Sequence, residues 1–546
     1  MVVAAFNCAY KLQRCAMTLL VSRCAGSFRF IFNSPVACAF QNTAVSAPVS
    51  LSLLFNVSES SKVDSRALFS LSQAPNLSTK RQKLCIGKLT LSLPLHAKAA
   101  PNSNLSRNMP DQEGLEWVQT TFSLEPRWTK DPDIDTISRI SRKYLGHDEH
   151  VPIDIAFYAQ GAFNKLYKVS VAGSDCLMRV SLPVDPHHKT ESEVATIDFV
   201  RKETGIPVSY IIAFDSCNQN ELGFEWILME MMAGVTLRKL WRKMSWESKE
   251  NIVKQLVKYQ AQLFERRFKR IGNIFKQQQN RSDETLGGTE KMPDAFVIGR
   301  IVSLIFFWGD HLTHDVDRGP FQTSYKWLQT RLRFVIIDQV RTLSTSTSDE
   351  DEIEDAEFAL ALAERLLQAL PTVFSPGITT EDEESVLFHD DLSMENILVN
   401  EHGELTAIID WECVSTVPLW CACQLPKLLE GRSRDEKPNR SGYSPDSDDE
   451  GQKSSAPDAV DNEGVNGLYW EHLLEYELTQ LRKLFVYEME KLRPEWVAKM
   501  KTSRLKADFE KAVHNSGDAW SFKIVSRWLD AVLEGRVESL AEILIS

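Results

Sequence analysis

The stretch from Phe388 to Glu412, FHDDLSMENILVNEHGELTAIIDWE, constrains this chain more than any other. Ile397, Leu398 and Val399 make a short apolar strand, Asn400 to Gly403 carry turn-forming residues, and Leu405 to Ile409 return as a second strand. The resulting tight hairpin sets Asn396 and Asp410 at its open mouth. A carboxamide oxygen beside a carboxylate is a hard oxygen pair of the kind Mg²⁺ takes alongside a phosphate. Asp391 falls next to that pair, with His389 just before it. A surface hairpin with charged flanks makes one or two of these coincidences, whereas the full set points to chemistry at the hairpin mouth.

The chain has 546 residues, 43% of them hydrophobic, which is ample for a large core spread over two to four ordinary domains. Its net charge is −13, but the N-terminal segment runs the other way. Through Ser58 there is no acidic residue, and Lys11, Arg14, Arg23 and Arg29 are spaced among Ala, Ser, Leu and Phe. That makeup fits a mitochondrial transit peptide over residues 1–58, followed by a Ser- and Asn-rich disordered linker over 59–111. A secretory signal fits less well, because Arg14 and Arg23 leave only Cys15 to Ser22 for an apolar core. A second reading makes the whole region a mispredicted extension with Met109 as the true start, and the product then cytoplasmic. No transmembrane segment is expected: Arg23 and Arg29 interrupt the early candidate, and Ile301 to Trp308 is too short. The acid-rich remainder gives no basic face for nucleic acid. Five of the ten cysteines fall in the first 85 residues, and no CxxC pair has zinc spacing, so reduced thiols are expected.

From residue 112 onward the pattern is that of a folded domain. Asp133 to Tyr144 reads as a helix, and Ile153 to Tyr158 and Leu166 to Val171 as strands flanking a turn that holds Gly161 and Asn164. Glycine in such a turn lets backbone amides approach a phosphate, although an ordinary hairpin would read the same. Cys176 to Ser181 is the next strand, carrying Arg179, and Thr190 to Lys202 the next helix. At 100° per residue Glu193, Ile197 and Val200 share a face, so Glu193 is buried and needs a cation, for which Arg179 is the candidate. This pair serves equally as a structural ion pair or as a nucleotide contact. Trp226 to Met229 is an apolar strand ending in Glu230-Met231-Met232-Ala233-Gly234. Lys249 to Phe264, Glu352 to Leu370 and Glu471 to Leu492 then place apolar residues at helical spacing. Residues 344–355 and 431–466 read as acidic disordered insertions, the second with Ser447 in an acidic context. His311 and His314, three apart in FFWGDHLTHDVDRGPF, are compatible with a metal site, with surface lining or with a substrate contact. Ile301 to Trp308 before them reads as a buried helix.

The spacing His389-x-Asp391, four residues to Asn396, then Ile409-Asp410-Trp411, resembles the catalytic centre of kinase-like phosphotransferases of the aminoglycoside phosphotransferase and choline kinase branch. The stretches LMRVSLPVDPHHKTESEVATIDFVRKETGIPV, WILMEMMAG and IIDWECVSTVPLWCACQLPKLL are further similar to a fungal branch that includes the altered inheritance of mitochondria group. The resemblance implies an α+β, bilobal protein-kinase-like fold, with a small antiparallel N-lobe over 112–232 and a mostly helical C-lobe over 233–546. It implies ATP and Mg²⁺ as cofactors and a small-molecule hydroxyl as acceptor, with Asp391 taking the hydroxyl proton, His389 bracing the loop, and Asn396 and Asp410 holding the metal. Gly161, Asn164, Arg179 and Glu193 would face the phosphates, and Glu230 and Met232 would offer the adenine edge backbone groups of an interlobe hinge. One departure stands out: Arg179 occupies the usual place of a lysine, exchanging a point charge for a planar fork. A pseudokinase that binds nucleotide or scaffolds without transfer is therefore the rival reading. Asp390 sits where protein kinases carry Arg, and no Ala-Pro-Glu follows Asp410, which favours a small-molecule kinase over a regulated protein kinase.

Overall fold

Alternation builds the first lobe. In Asn164–Val171 the side chains of Tyr167, Val169 and Val171 are buried while Lys168 and Ser170 between them reach the surface, which is the period of a half-buried strand. The computed structural model describes residues 112–120, 123–277, 296–345, 349–375, 382–444, 462–536 and 539–545. It also describes a short antiparallel ribbon that pairs Arg23–Cys24 with Ser27–Phe28. Apart from that ribbon, the expected transit peptide and linker, like Ser447, lie outside the described residues.

The N-lobe begins with a hairpin of β1 (Leu115–Gln119) and β2 (Leu124–Trp128) and a helix α1 (Ile134–Leu145). Asp133 caps α1 by accepting the Thr136 amide at 3.0 Å, and Gly146 ends it in the left-handed region. An antiparallel sheet follows, made of β3 (Ile153–Gln160), β4 (Asn164–Val171), β5 (Ser174–Ser181), β6 (Ile211–Asp215) and β7 (Glu225–Glu230), in the order β3-β4-β5-β7-β6. Helix α2 (His188–Glu203) packs on β6 and β7 and also on the C-lobe strand β9, so it is buried on nearly every side and shows little amphipathic contrast.

A two-residue strand, β8 (Val235–Thr236), leads out of this lobe and pairs with β12 (Ile397–Val399), which pairs in turn with β13 (Leu405–Ile408). The interlobe linker is thus the outer strand of the sheet that carries the hairpin. Gly234 makes this possible: its φ is +121°, and a Cβ there would fall 2.7 Å from both the Val399 carbonyl oxygen and Thr406 Oγ1. A second C-lobe sheet joins β9 (Gly272–Lys276), β10 (Phe296–Gly299), β11 (Ser385–Phe388) and β14 (Ser415–Pro418) in the order β10-β9-β14-β11. Around both sheets stand α3 (Trp246–Glu265), α4 (Ser324–Ser344), α5 (Glu350–Val373), α6 (Gly467–Leu492), α7 (Pro494–Thr502), α8 (Arg504–His514) and α9 (Phe522–Leu533). The architecture is the α+β, bilobal, protein-kinase-like one. Among the described residues no helix is long and apolar enough to cross a membrane, and Cys176, Cys217, Cys413, Cys421 and Cys423 are all thiols, none of them in a disulfide.

Three expectations need correction. Residues 350–355 are not disordered: they form the first turns of α5, where Asp349 accepts the Asp351 and Glu352 amides, and their carboxylates suit the positive end of the helix. Residues 431–444 are likewise held in place, since Arg482 on α6 donates to the carbonyls of Leu429, Gly431 and Arg432 at 2.9 to 3.0 Å; residues 445–461 lie outside the described set. Finally, the helix expected over Ile301 to Trp308 is the single turn Leu304–Phe307. Phe306 is buried in the C-lobe core and its neighbour Phe307 in the N-lobe core, so this strap serves two cores at once.

Candidate functional site

The hairpin holds its polar residues where the pattern puts them. Ile397 pairs with Ile408, and the Ile409 amide donates to the Asn396 carbonyl at 2.9 Å, so Asn396 and Asp410 flank the mouth. Asn400 Oδ1 closes the far turn by accepting the His402 and Glu404 amides. Asn396 is 9% exposed and donates its Nδ2 to the Asp391 carbonyl at 2.8 Å and to Asp391 Oδ2 at 3.3 Å. That choice turns its Oδ1 into the remaining acceptor. His389 is buried, its Nε2 3.1 Å from the Ile409 carbonyl oxygen and its ring edge-on to Trp411, which ties the loop of Asp391 to the strand before Asp410. Its Nδ1 is buried with no partner among the described residues.

Asp410 itself sits at φ +65°, a strained setting for a residue with a side chain. Its carboxylate accepts no hydrogen bond among the described residues, and its nearest cation, Arg179, is 3.8 Å away. Enclosure by the fold, then the charge of Glu412, pushes the Asp410 carboxyl above its usual range, more than Arg179 draws it down. Even so, 38% of the side chain reaches the cleft. Such a carboxylate is under-satisfied and suits a cation. Asn396 Oδ1 and Asp410 together offer the oxygen donors that Mg²⁺ accepts.

The opposite wall is built differently. Arg179 donates to Glu193 at 2.7 Å, the pair that the helical face of Glu193 suggests, but its other terminal nitrogen goes to Glu412 at 2.7 Å. Glu412 also accepts from Lys189 at 2.7 Å and from Asn164 Nδ2 at 2.9 Å. Asn164 Oδ1 takes the Ser181 hydroxyl at 2.7 Å and Lys189 at 3.2 Å. Burial alone would raise the Glu412 carboxyl, but Lys189 and Arg179 outweigh it and hold the group well below the ordinary carboxylate range. For Glu193 burial wins, and its carboxyl is raised despite both cations. Every one of these side chains is committed to another.

The remaining predicted residues are less constrained. Gly161 donates its N–H to the Asn164 carbonyl at 2.9 Å, and a Cβ there would meet nothing within 4 Å, so the turn faces open space without sterically requiring glycine. Glu230 is exposed, and its backbone N–H already goes to the Tyr210 carbonyl at 2.9 Å, while its carboxylate accepts the Tyr210 amide. Met232 lies beyond the strand, and its backbone N–H is free among the described residues. Three residues escaped the sequence reading. Lys427 reaches Asp391 Oδ1 at 2.5 Å from a short 3₁₀ turn far down the chain, and Lys189 and Glu412 complete the buried network. Glu412 was visible as the end of the motif. Nothing in His187-His188-Lys189 announced a lysine only 1% exposed.

The segment that carries this site is similar to known proteins. The family model described as the phosphotransferase enzyme family matches residues 154–421. A subtelomeric hrmA-associated cluster protein of Aspergillus fumigatus is 26% identical over 313 residues, which cover 50% of this chain and 60% of that protein. The altered inheritance of mitochondria protein 9, mitochondrial, of Lodderomyces elongisporus is 24% identical over 303 residues, 50% of this chain and 47% of the relative. The chain therefore spans about half the length of such relatives. Among solved structures, the aminoglycoside phosphotransferase APH(4)-Ia aligns with a TM-score of 0.35 at 13% identity, covering 74% of this chain and 100% of that one. With His389, Asp391, Asn396 and Asp410 all inside the matched segment, residues 154–421 belong to the phosphotransferase enzyme family.

Proposed function

We propose that this protein is an ATP- and Mg²⁺-dependent phosphotransferase that transfers the γ-phosphate to a hydroxyl of a small molecule. The observation that supports this reading most directly is the under-satisfied oxygen set at the hairpin mouth: Asp410 accepts no hydrogen bond among the described residues, and Asn396 turns its Oδ1 outward by spending its Nδ2 on Asp391. Asn396 and Asp410 are the residues that would hold Mg²⁺. When bound, the ion supplies charge neutralisation on the phosphate oxygens. Asp391 accepts the proton of the acceptor hydroxyl, presenting Oδ2 while Lys427 holds Oδ1. His389 positions that loop through the Ile409 carbonyl. Met232 offers a free backbone N–H to a base edge, whereas Glu230 has spent its own. Relatives named as mitochondrial, together with the acid-free basic N-terminus, support a mitochondrial location.

One observation favours the rival pseudokinase reading: both terminal nitrogens of Arg179 are taken by Glu193 and Glu412, leaving no obvious cation to grip a phosphate. Two measurements separate the readings. ATP binding should strengthen with Mg²⁺ in the wild type and lose that dependence in Asp410→Ala; identical behaviour of the two proteins would remove the metal assignment. Labelled ATP incubated with the enzyme and a mitochondrial metabolite extract should yield a phosphorylated product, and Mg²⁺-dependent binding without any product would favour the pseudokinase.

A further inference from the structure

The strap that joins the two cores ends at a second cluster of ligating groups, which the hairpin chemistry does not use. Leu304–Phe307 is followed by a 3₁₀ turn, His311–Thr313, and this places His311 and His314 against Asp338 in the middle of α4. His311 Nε2 lies 3.1 and 3.0 Å from the two Asp338 oxygens, and His314 Nε2 lies 3.8 Å from Asp338 Oδ1. One ligand atom from each of the three residues falls within 4.8 Å of the others. Phe334 underlies the group, stacked on His311 at 4.7 Å, so the rings have little freedom to turn away.

The protonation pattern is the telling part. His311 Nδ1 is 2.6 Å from the Ile305 carbonyl oxygen, which can only accept, so Nδ1 carries the hydrogen. In the neutral ring, Nε2 then presents a lone pair to a carboxylate, two acceptors about one hydrogen bond apart. Something positive has to sit between them: a proton, or a metal ion. His314 distinguishes the two. Its Nε2 is buried and has no hydrogen-bond partner, although the ring is only 12% exposed. A proton shared by His311 and Asp338 leaves that nitrogen unexplained, whereas an ion bound by all three uses it. A backbone carbonyl fixing the far nitrogen of a histidine is also the usual outer support of a metal ligand.

We infer that His311, His314 and Asp338 form a site for a first-row divalent cation, with Zn²⁺ the best fit to two imidazoles and one carboxylate and with a fourth position open to water. Ligand atoms around a tetrahedral zinc stand about 3.3 Å apart for bonds of about 2.0 to 2.1 Å, and the contacts of Asp338 with the two histidines, 3.0 and 3.8 Å, bracket that spacing. Arg341 is the competitor. It bonds Asp310 and reaches Asp338 at 3.4 Å, so it neutralises the same carboxylates from the solvent side. The consequence for the fold is local. Phe307 and Trp308, just before the histidines, pack edge-on against Phe163 in the Gly161 turn, with centroids 5.5 and 6.2 Å away. A metal at this site pins the strap to α4 and so steadies the floor of that turn. The inference does not depend on the phosphotransferase reading.

The test uses the full chain, stripped with EDTA and titrated with Co²⁺ and then Zn²⁺. The wild type should take up one equivalent of Co²⁺ with the intense visible bands of a low-coordinate site, release it to Zn²⁺, and melt at a higher temperature when zinc is present. His314→Gln and Asp338→Asn should each lose that equivalent, weakening it by more than the roughly 10–100-fold that loss of even an outer-shell partner costs. Arg341→Ala should bind Zn²⁺ more tightly than the wild type. Absence of a saturable equivalent in the wild type overturns the inference, as does an equivalent that His314→Gln and Asp338→Asn both retain at unchanged affinity. Far-UV circular dichroism confirms each variant is folded. His314→Gln is the decisive one, because His314 Nε2 makes no hydrogen bond that the fold could miss.

Discussion

The two walls of the cleft are made of similar residue types and have opposite characters. On the hairpin side, Asp410 and the Asn396 oxygen are held in place by backbone and neighbours yet left without partners of their own. On the N-lobe side, Arg179, Lys189, Glu193 and Asn164, joined by Glu412 from the end of the hairpin, hold one another in a closed network that leaves only Arg179 Nε and Glu193 Oε2 of its buried atoms without a partner among the described residues. The contrast shows that charge in a cleft is not readiness to bind. Readiness is a polar atom that the fold has positioned and then left unsatisfied, because a buried group that has found its partner must lose it before it can meet a ligand.

The largest effect that would break this comparison is on the open side. Asp391→Ala should lower phosphoryl transfer by about 10³-fold, within the range for loss of a general base, with the melting temperature nearly unchanged. Activity within a few-fold of wild type would remove Asp391 from the chemistry. On the committed side the loss should be in stability. Glu412→Ala leaves Arg179 and Lys189 buried together against Glu193 alone, and chemical denaturation should show a cost of about 3–5 kcal/mol. A variant as stable as wild type would mean that the network is ornamental.

Glu225 tests how complete the commitment is. It is 2% exposed, has no ion pair among the described residues, and accepts the His187 amide at 2.8 Å; burial raises its carboxyl from 4.5 to about 7. An acid whose folded pKa is raised contributes stability below its unfolded value, and that stability is lost as pH climbs through the folded one, here from 4.5 to about 7. Glu225→Gln, which keeps an acceptor but cannot ionise, should therefore gain on the wild type by up to about 3 kcal/mol between pH 4.5 and pH 8. Parallel denaturation curves across that window would show that the carboxyl finds a compensating partner. The smallest effect concerns Lys427. Its methionine variant should lose roughly tenfold in kcat with KM unchanged, because only the orientation of Asp391 is disturbed. A change confined to KM would instead make Lys427 a substrate contact.

Legibility followed the range of the interactions. Helix α1, strands β3 to β5 and the hairpin were readable because each announces itself within a few residues, by a cap, an alternation or a turn. The sheet of β9, β10, β11 and β14 was not, since its strands come from segments far apart, and Gly272–Lys276 carries too short a pattern to stand alone. The hairpin β1–β2 was missed as well: Pro126 and charged residues interrupt the alternation, and it finds its burial through Leu115 in the N-lobe core, Trp117 against Trp308 and Trp128 against Phe224. The site shows the same division. Asp391, Asn396 and Asp410 share one local motif, and Arg179 could be matched to Glu193 from a helical face. Lys427 and Lys189 reach their partners from elsewhere in the chain, and a lysine in sequence gives no sign that it will be buried.

The pairing of Val235–Thr236 with Leu398–Val399 has a mechanical meaning. Since the linker is stitched to the hairpin, the chain at Ala233 to Thr236 is held with the C-lobe sheet, and a change in the angle between the lobes falls on the residues before Gly234 and on the strap at Phe306 and Phe307. Opening the cleft then tilts the N-lobe sheet against the hairpin and stretches together the three bonds that Glu412 makes across the gap, to Arg179, Lys189 and Asn164.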